Sequence, residues 1–481
     1  LLDGISQLLP SGIDYGGYKA ISNLLRSWMN VDNLEENVAF YKLRSSTGDE
    51  AEMKTSKDGN FYLSVVNGKL VKPIADMDLV YGYDTAMNRP AFFESHSLAS
   101  IESMPQVTEN KVPCGFTPMT LTLKPGETVE IRTLIGYTHE ISAINSRRHE
   151  FEKPGYFDQK QTEAKQEIDA LLKDVALDTA QPIYDEYIRQ NYLDNLLRGG
   201  YPMTIKTAKQ DFVYYLYSRK HGDLERDYNF FSIAPEYYSQ GNGNFRDVCQ
   251  NRRNDVLIHP ESGDYSIFVF ASLIQADGYN PLSINGSTFE IEDKSVIESI
   301  VKDVFTNDDG TMATLLKSKF TPGSIVNTMA QKGIHTLLND IQLFEKIFVH
   351  ASQSIEASFG EGYWVDHWTY ILDLVENYLA IFPDHQDDLL FNRTNYRYFD
   401  SPVSVYPRSE KTVLDHSGVV HQYGSLRHPD HEKIKRCHLN ENGTNWLKDN
   451  NQRYLETNLA SKLFVLALTK YANLDPEGLG I

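Results

Sequence analysis

Positive charge is scarce in this chain. Lys and Arg number 46 against 66 Asp and Glu, giving a formal net charge of −20. No run of Lys and Arg stands out. Nucleic acid needs a basic footprint, so it is not an expected partner. Anionic membrane surfaces are disfavoured for the same reason. Cysteine is scarcer still. Cys114, Cys249 and Cys437 are odd in number, far apart and without metal-ligand spacing. A disulfide framework is not expected, and a reducing, cytoplasmic setting is. No stretch approaches the roughly 18 apolar residues of a membrane span. The start, Leu1-Leu2-Asp3-Gly4, has neither Met nor a basic n-region, so it is not a whole signal peptide. The end, Leu479-Gly480-Ile481, stops without a tail, and a segment of a longer polypeptide is expected. Sequons at Asn285, Asn392 and Asn442 carry little weight, because such triplets arise by chance.

Tyrosine is what the chain has in excess: 29 Tyr against 4 Trp in 481 residues. Tyrosine suits polar ligands as well as cores. The length allows two or three domains.

Residues 1 to about 35 mix apolar pairs with Gly, and Ile21–Met29 reads as a short helix. From Val38 to Tyr137 the pattern is β-rich. Phe61–Val66 followed by Asn67-Gly68 reads as a strand and hairpin turn. Met119–Leu123, a turn at Lys124–Glu127, and Thr128–Arg132 read as a second hairpin. Residues 160–198 are helical. Pro182 opens one helix at its first turn and Gly199-Gly200 closes it. Later helices are expected at Ala208–Arg219, Tyr265–Asp277, Asp293–Val304, Met312–Phe320, Ile334–Ile355, Asp366–Phe382 and Asn451–Tyr471. The fold class expected is α+β. A β-sandwich with an N-terminal helical piece fills 1–150, a helical linker 151–204, and a toroid of paired helices 205–481.

Two stretches carry chemistry. Gly360–Tyr370 packs two glycines, four aromatics, two carboxylates and a histidine into eleven residues. A carboxyl beside flat rings is what glycosidic chemistry uses: rings stack on the sugar and the acid protonates the leaving oxygen. Val365, Trp368, Leu372, Val375 and Leu379 fall on one helical face, so Asp366 sits near a helix start. The plain alternative is an Asp favoured there by the helix dipole. The second stretch, Tyr237–Asp255, sets Arg246, Arg252 and Arg253 among Asp247 and Asp255, with Asn244, Gln250 and Asn251. Guanidinium forks and carboxylates grip neighbouring hydroxyls. Its plain alternative is a salt-bridge knot fixing a Gly-rich loop.

These stretches resemble a known family. Phe245-Arg246-Asp247-x-x-Gln250 is similar to the sugar-binding Arg-Asp-x-x-Gln motif of cellobiose phosphorylase and its relatives. Gly360-x-Gly362-x-Trp364-x-Asp366 is similar to their Gly-x-Gly-Asp-Trp-Asn-Asp motif. The fuller strings, and the tail Leu474–Ile481, resemble the β-1,3-glucan (laminarin-type) phosphorylases of glycoside hydrolase family 149 more closely. The resemblance implies a β-sandwich, a helical linker and an (α/α)6 barrel, incomplete in this segment. It implies an inverting phosphorylase that takes β-glucan oligosaccharide and inorganic phosphate, needs no cofactor or metal, and releases α-glucose 1-phosphate. A homodimer is the expected assembly. Asp366 falls on the general acid, and Arg246 and Asp247 on residues gripping the transferred sugar. Gln250, Asn251, Arg252, Arg253, Asp255, Tyr363, Trp364 and Trp368 complete the expected substrate site. Tyr363, Val365 and Asn251 depart from the cellobiose phosphorylase pattern. The family's phosphate-binding His and Thr-Gly fall beyond Ile481.

A phosphorylase needs one carboxyl, because phosphate attacks the anomeric carbon itself. An inverting hydrolase needs two, about 6.5–9.5 Å apart. Asp247, Glu361 and Asp373 are the available bases for that alternative, and a non-catalytic carbohydrate-binding protein is a third. Arg397, Asp400, Arg408 and Glu410, in the loop after the Asp366 helix, are acceptor-side candidates or a charge-paired surface loop.

Overall fold

A computed structural model describes residues 1–8, 26–44, 56–217, 236–362, 365–406, 410, 412–422, 426–440 and 443–472, with the backbone alone at 359–362, 365, 366 and 422. The chain mixes helix and sheet. It forms two compact units, Leu1–Ala170 and Leu171–Ile481. Among the described residues no helix is long and apolar enough to cross a membrane.

In the first unit, β1 (Leu2–Ile5) pairs with β6 (Gly115–Pro118). The main sheet holds β2 (Met29–Asp32), β3 (Ala39–Leu43), β4 (Gly59–Val66), β5 (Lys69–Val71) and β7 (Ile131–Thr138). Strand β4 is its axis, with β3 and β5 sharing one edge and β7 filling the other. Its side chains alternate between two buried faces, as a period of two requires. Phe61, Leu63 and Val65 pack with Phe40, Phe151, Ile141 and Ile144, so helix α1 (Ile141–Phe151) covers that face. Tyr62 points the other way, toward Leu8, Val31, Tyr41 and Ala75. The turn between β4 and β5 has φ 52° at Asn67 and 76° at Gly68. Two positive φ angles are what a two-residue hairpin turn demands.

The second expected hairpin does not form. The turn is present, with the Glu127 N–H on the Lys124 carbonyl at 3.0 Å. Its flanks do not pair with each other; residues 119–130 carry no strand, and β7 pairs with β4 instead. Local alternation marked residues able to form strands. The long-range partner, with a Ser64–Thr133 hydroxyl contact at 2.8 Å, decided which did.

Helix α2 (Tyr156–Leu172) is followed by α3 (Pro182–Gly199), which has Pro at its start and Gly200 at φ 96° beyond its end. The expected helix at Ala208–Arg219 does not form over its described residues, 208–217. Phe212–Leu216 is strand β9, paired with β8 (Tyr201–Ile205). A short buried apolar run is ambiguous by periodicity, and its aromatic and β-branched content settles it as strand. Helix α4 (Phe245–Arg252) and α5 (Tyr265–Ser272) follow. Strand β11 (Asn280–Glu290) then leads to α6 (Ile297–Val304), α7 (Thr311–Leu316) and α8 (Pro322–Lys332). Ile334–Ile355 splits into α9 (Asp340–Phe348), capped by Asn339 and Gln342, and strand β12 (Ser352–Gly362). Helix α10 spans Val365–Ile381. The last described helix, α11, begins at Leu459 rather than Asn451 and runs to Ala472. Most of the expected helix at Ile21–Met29 lies outside the described residues.

Among the described residues, two large cores and a smaller cluster around Leu172, Tyr192 and Leu196 fill this unit. One gathers Phe245, Val248, Phe270, Ile284, Ala357, Ile371 and Leu374 from α4, α5, α10 and the near half of β11–β12. The other gathers Phe289, Ile300, Leu316, Phe344 and Phe348 around the far half. Phe270 is fully buried, its ring edge-on to Phe245 at 5.1 Å. Phe270→Ala is expected to cost about 3–5 kcal/mol of stability. A urea titration reads it, and a loss below about 1 kcal/mol would contradict this packing.

Candidate functional site

A three-stranded sheet assembles the two chemical stretches. Strand β10 (Gly243–Asn244) pairs with β11, and β12 pairs with the other edge of β11. Both are antiparallel to β11, so they run in the same direction. Strand β10 ends where α4 begins, at Phe245, and β12 ends just before α10 begins, at Val365. Two parallel strands flanking one central strand therefore deliver two helix N-termini to the same end of the sheet. The register agrees: Asn244 lies opposite Ser283, and Gly362 opposite Asn280. Both helix starts carry partial positive charge.

Side chains lock the two starts together. The Phe245 and His367 rings pack at 5.5 Å between centroids. The His367 Nδ1 meets the Asn280 Oδ1 at 2.8 Å, tying α10 to the start of β11. Burial, with the Arg246 charge adding to it, pushes the His367 imidazole down to about 3, so it is neutral. The buried stripe of α10 runs through His367, Ile371, Leu374, Val375 and Tyr378, with Trp368 and Leu379 packed at its side. Of the expected stripe, Val375 is buried and Trp368 and Leu379 pack against the core, while Leu372 is only half-buried.

The structure sorts the expected sugar residues into two groups. Arg246 and Asp247 stand at the start of α4 and Gln250 one turn further on, with Arg246 and Gln250 exposed on one face. The Asp247 carboxylate accepts from Asn244 Nδ2 at 3.1 Å and Arg246 Nε at 3.3 Å. This group shares its end of the sheet with the first turn of α10, where the Asp366 backbone lies. The Asp366 side chain, Tyr363 and Trp364 lie outside the described residues. The second group belongs to the frame. Asn251 donates to the Asp247 carbonyl at 2.7 Å. Arg252 is buried, its Nε on the Gly199 carbonyl at 2.6 Å and its guanidinium 3.5 Å from the Tyr215 ring centre. Arg253 binds the Asp373 carboxylate of α10 at 2.9 Å. Asp255 accepts from the Tyr215 hydroxyl at 2.9 Å. These four hold α4 against α3, β9 and α10.

The acceptor-side candidates are occupied locally. Arg397 stacks 4.0 Å from the Tyr454 ring centre and faces Glu456 at 3.4 Å. Asp400 is buried with Lys433 on its carboxylate. Glu410 takes Arg427 at 3.1 Å. Arg408 lies outside the described residues.

Gln240 and Gly286 have structural roles that the sequence reading did not assign. The Gln240 side chain pairs with the Ser287 backbone like an added strand residue, donating to its carbonyl at 2.8 Å and accepting its N–H at 3.0 Å. Gly286 makes room for this, at φ 108°, where a Cβ would fall 2.5 Å from Gln240 Oε1. Gly286→Ala is expected to cost about 1–3 kcal/mol. A thermal melt reads it, and an unchanged melting temperature would contradict this role.

Two buried groups give opposite pH slopes. His367 titrates in the unfolded chain near 6.5 and in the fold near about 3. Between those values the unfolded state binds the extra proton, so stability falls as pH falls. Burial pushes Asp255 up from 3.8 to about 7, against the Tyr215 hydrogen bond and the Arg252 charge. Here the folded state binds the extra proton, so stability falls as pH rises through that window. Asp255→Asn should therefore steepen the loss of stability toward acid, and His367→Gln should flatten or reverse it. Urea midpoints between about pH 4.5 and 7 test this. Equal slopes in the two variants would contradict it.

No family model matches the chain, and no curated protein matches it.

Proposed function

We propose that this chain carries the donor-sugar site of an inverting β-1,3-glucan phosphorylase. The observation that carries the reading is the shared end of the β10–β11–β12 sheet, where Arg246 and Asp247 on α4 and the first turn of α10 meet. Arg246, Asp247 and Gln250 would hold the donor glucose. Asp366 would give its proton to the glycosidic oxygen as phosphate oxygen attacks the anomeric carbon from the opposite face. The old C–O bond breaks as the new one forms. α-Glucose 1-phosphate leaves, with a glucan one unit shorter.

The finer architecture belongs to the same reading: a β-sandwich, a helical linker and an (α/α)6 barrel, in a homodimeric cytoplasmic enzyme without metal or cofactor. The hydrolase alternative needs a free base. Asp373 is paired with Arg253, and Asp247 accepts from Asn244 and Arg246. Both carboxylates already hold partners, and the side chain of Glu361, the third candidate, lies outside the described residues. The test is turnover of β-1,3-glucan oligosaccharide by the intact polypeptide, with and without phosphate. Strict phosphate dependence is expected. Free glucose without phosphate would support the hydrolase, and sugar binding without turnover a binding protein.

A further inference from the structure

A cavity of about 630 Å³ opens in the second unit between the short helix His431–Cys437 and residues 444–454. That volume suits a small-molecule ligand. None of its described walls belongs to β10, α4 or α10, so it lies apart from the site above. One part of the wall is a buried ion pair. The Asp400 carboxylate is buried and holds the Lys433 ammonium, which also donates to the Ser401 carbonyl at 2.9 Å. A carboxylate has about four lone-pair sites, and Lys433 uses one of them. The rest can accept from the hydroxyls of a ligand. Trp446, half-buried and edge-on to Phe399, adds a flat apolar surface beside this pair.

Another part of the wall is basic. Arg436 lies three residues after Lys433, on the same side of the short helix, and Lys448 stands 5.2 Å from the Tyr454 ring centre. Among the described residues neither Arg436 nor Lys448 meets a carboxylate. Asp449, the second acid among the described walls, already takes two donors from Arg453, at 3.0 and 2.8 Å. With Asp400 answered by Lys433 and Asp449 by Arg453, two cations are left uncompensated, in a chain whose net charge is −20. That local excess favours an anionic group. A neutral sugar would leave the two cations unused, and inorganic phosphate would leave the Asp400 carboxylate unused.

We propose that this cavity binds a sugar phosphate, with the sugar hydroxyls on Asp400 and Lys433, the ring against Trp446 and the phosphate between Arg436 and Lys448. Thr444, in the same wall, accepts the Ala357 N–H of β12 at 2.8 Å. Occupancy therefore bears on the strand that leads to α10. The site does not rest on the reaction proposed above, because its readout is binding.

The test is calorimetry on the intact polypeptide with glucose 6-phosphate, which is not a product of the proposed reaction, against glucose, inorganic phosphate and AMP. Glucose 6-phosphate is expected to bind along a saturating curve and at least about 10-fold more tightly than any of the other three. Arg436→Gln and Lys448→Gln, both at exposed positions, should each weaken it by about 10-fold. Asp247→Ala, in the donor site, should leave it unchanged. Amide exchange at Ala357 should slow when glucose 6-phosphate is added. Absence of saturable binding would overturn the proposal. So would inorganic phosphate or AMP binding as tightly as glucose 6-phosphate, or an affinity that the Arg436→Gln, Lys448→Gln double variant leaves unchanged. An affinity lost in Asp247→Ala would place the ligand in the donor site and overturn it as well.

Discussion

Asp366→Asn in the intact polypeptide is expected to lower turnover by about 10²–10⁴, the usual worth of a general acid. Sugar binding and fold should survive, since asparagine keeps the size of the side chain and still accepts hydrogen bonds at a helix start. The expectation rests on where the residue stands. Asp366 occupies the first turn of α10, and the same sheet brings α4 to that end. Steady-state rates on β-1,3-glucan oligosaccharide in phosphate measure the loss. A variant retaining more than half of its activity would remove Asp366 from the role.

Asp247→Ala is the second large effect. Its carboxylate is partly buried and already oriented by Asn244 and Arg246. A hydrogen bond to a charged group is worth about 1.5–3 kcal/mol, so sugar affinity should fall roughly 10- to 150-fold. Arg246→Ala should weaken binding less, because the side chain is 44% exposed and solvent replaces part of its work. Arg253→Ala acts differently. It leaves Asp373 without its cation and loosens α4 from α10, so stability should fall with affinity. Calorimetry on folded variants separates the cases. Unchanged affinity in both Asp247→Ala and Arg246→Ala would return this stretch to a purely structural role.

The helix starts were legible because their signals are local. Pro182 and Gly200 bracket α3, and α10 came within one residue of its observed ends. The Asn67-Gly68 turn needs only two residues to declare itself. The sheet that joins the two motifs was not legible. Strands β11 and β12 pair across a span that includes four helices, and nothing local records that partnership. Asn285-Gly286 read as a sequon, while in the fold Gly286 sits at a register shift of β11. Strand β12 began inside an apolar run that read as one long helix.

The sorting of the arginines was partly available. Phe245, Val248, Cys249 and Arg252 follow one helical stripe, which places Arg252 on the buried face of α4. Arg246 and Gln250 lie four apart on the exposed face. Counting residue types near one another hid that division. Helical period separates the arginine that can meet a ligand from the one that holds the frame.

The central claim is inversion by phosphate with a single protein acid. NMR of the first product formed from a β-1,3-glucan oligosaccharide, by the intact polypeptide in phosphate, tests it most directly. The account predicts α-glucose 1-phosphate as the initial product, and no free glucose when phosphate is withheld. A β-phosphate as first product, or glucose released without phosphate, would contradict it.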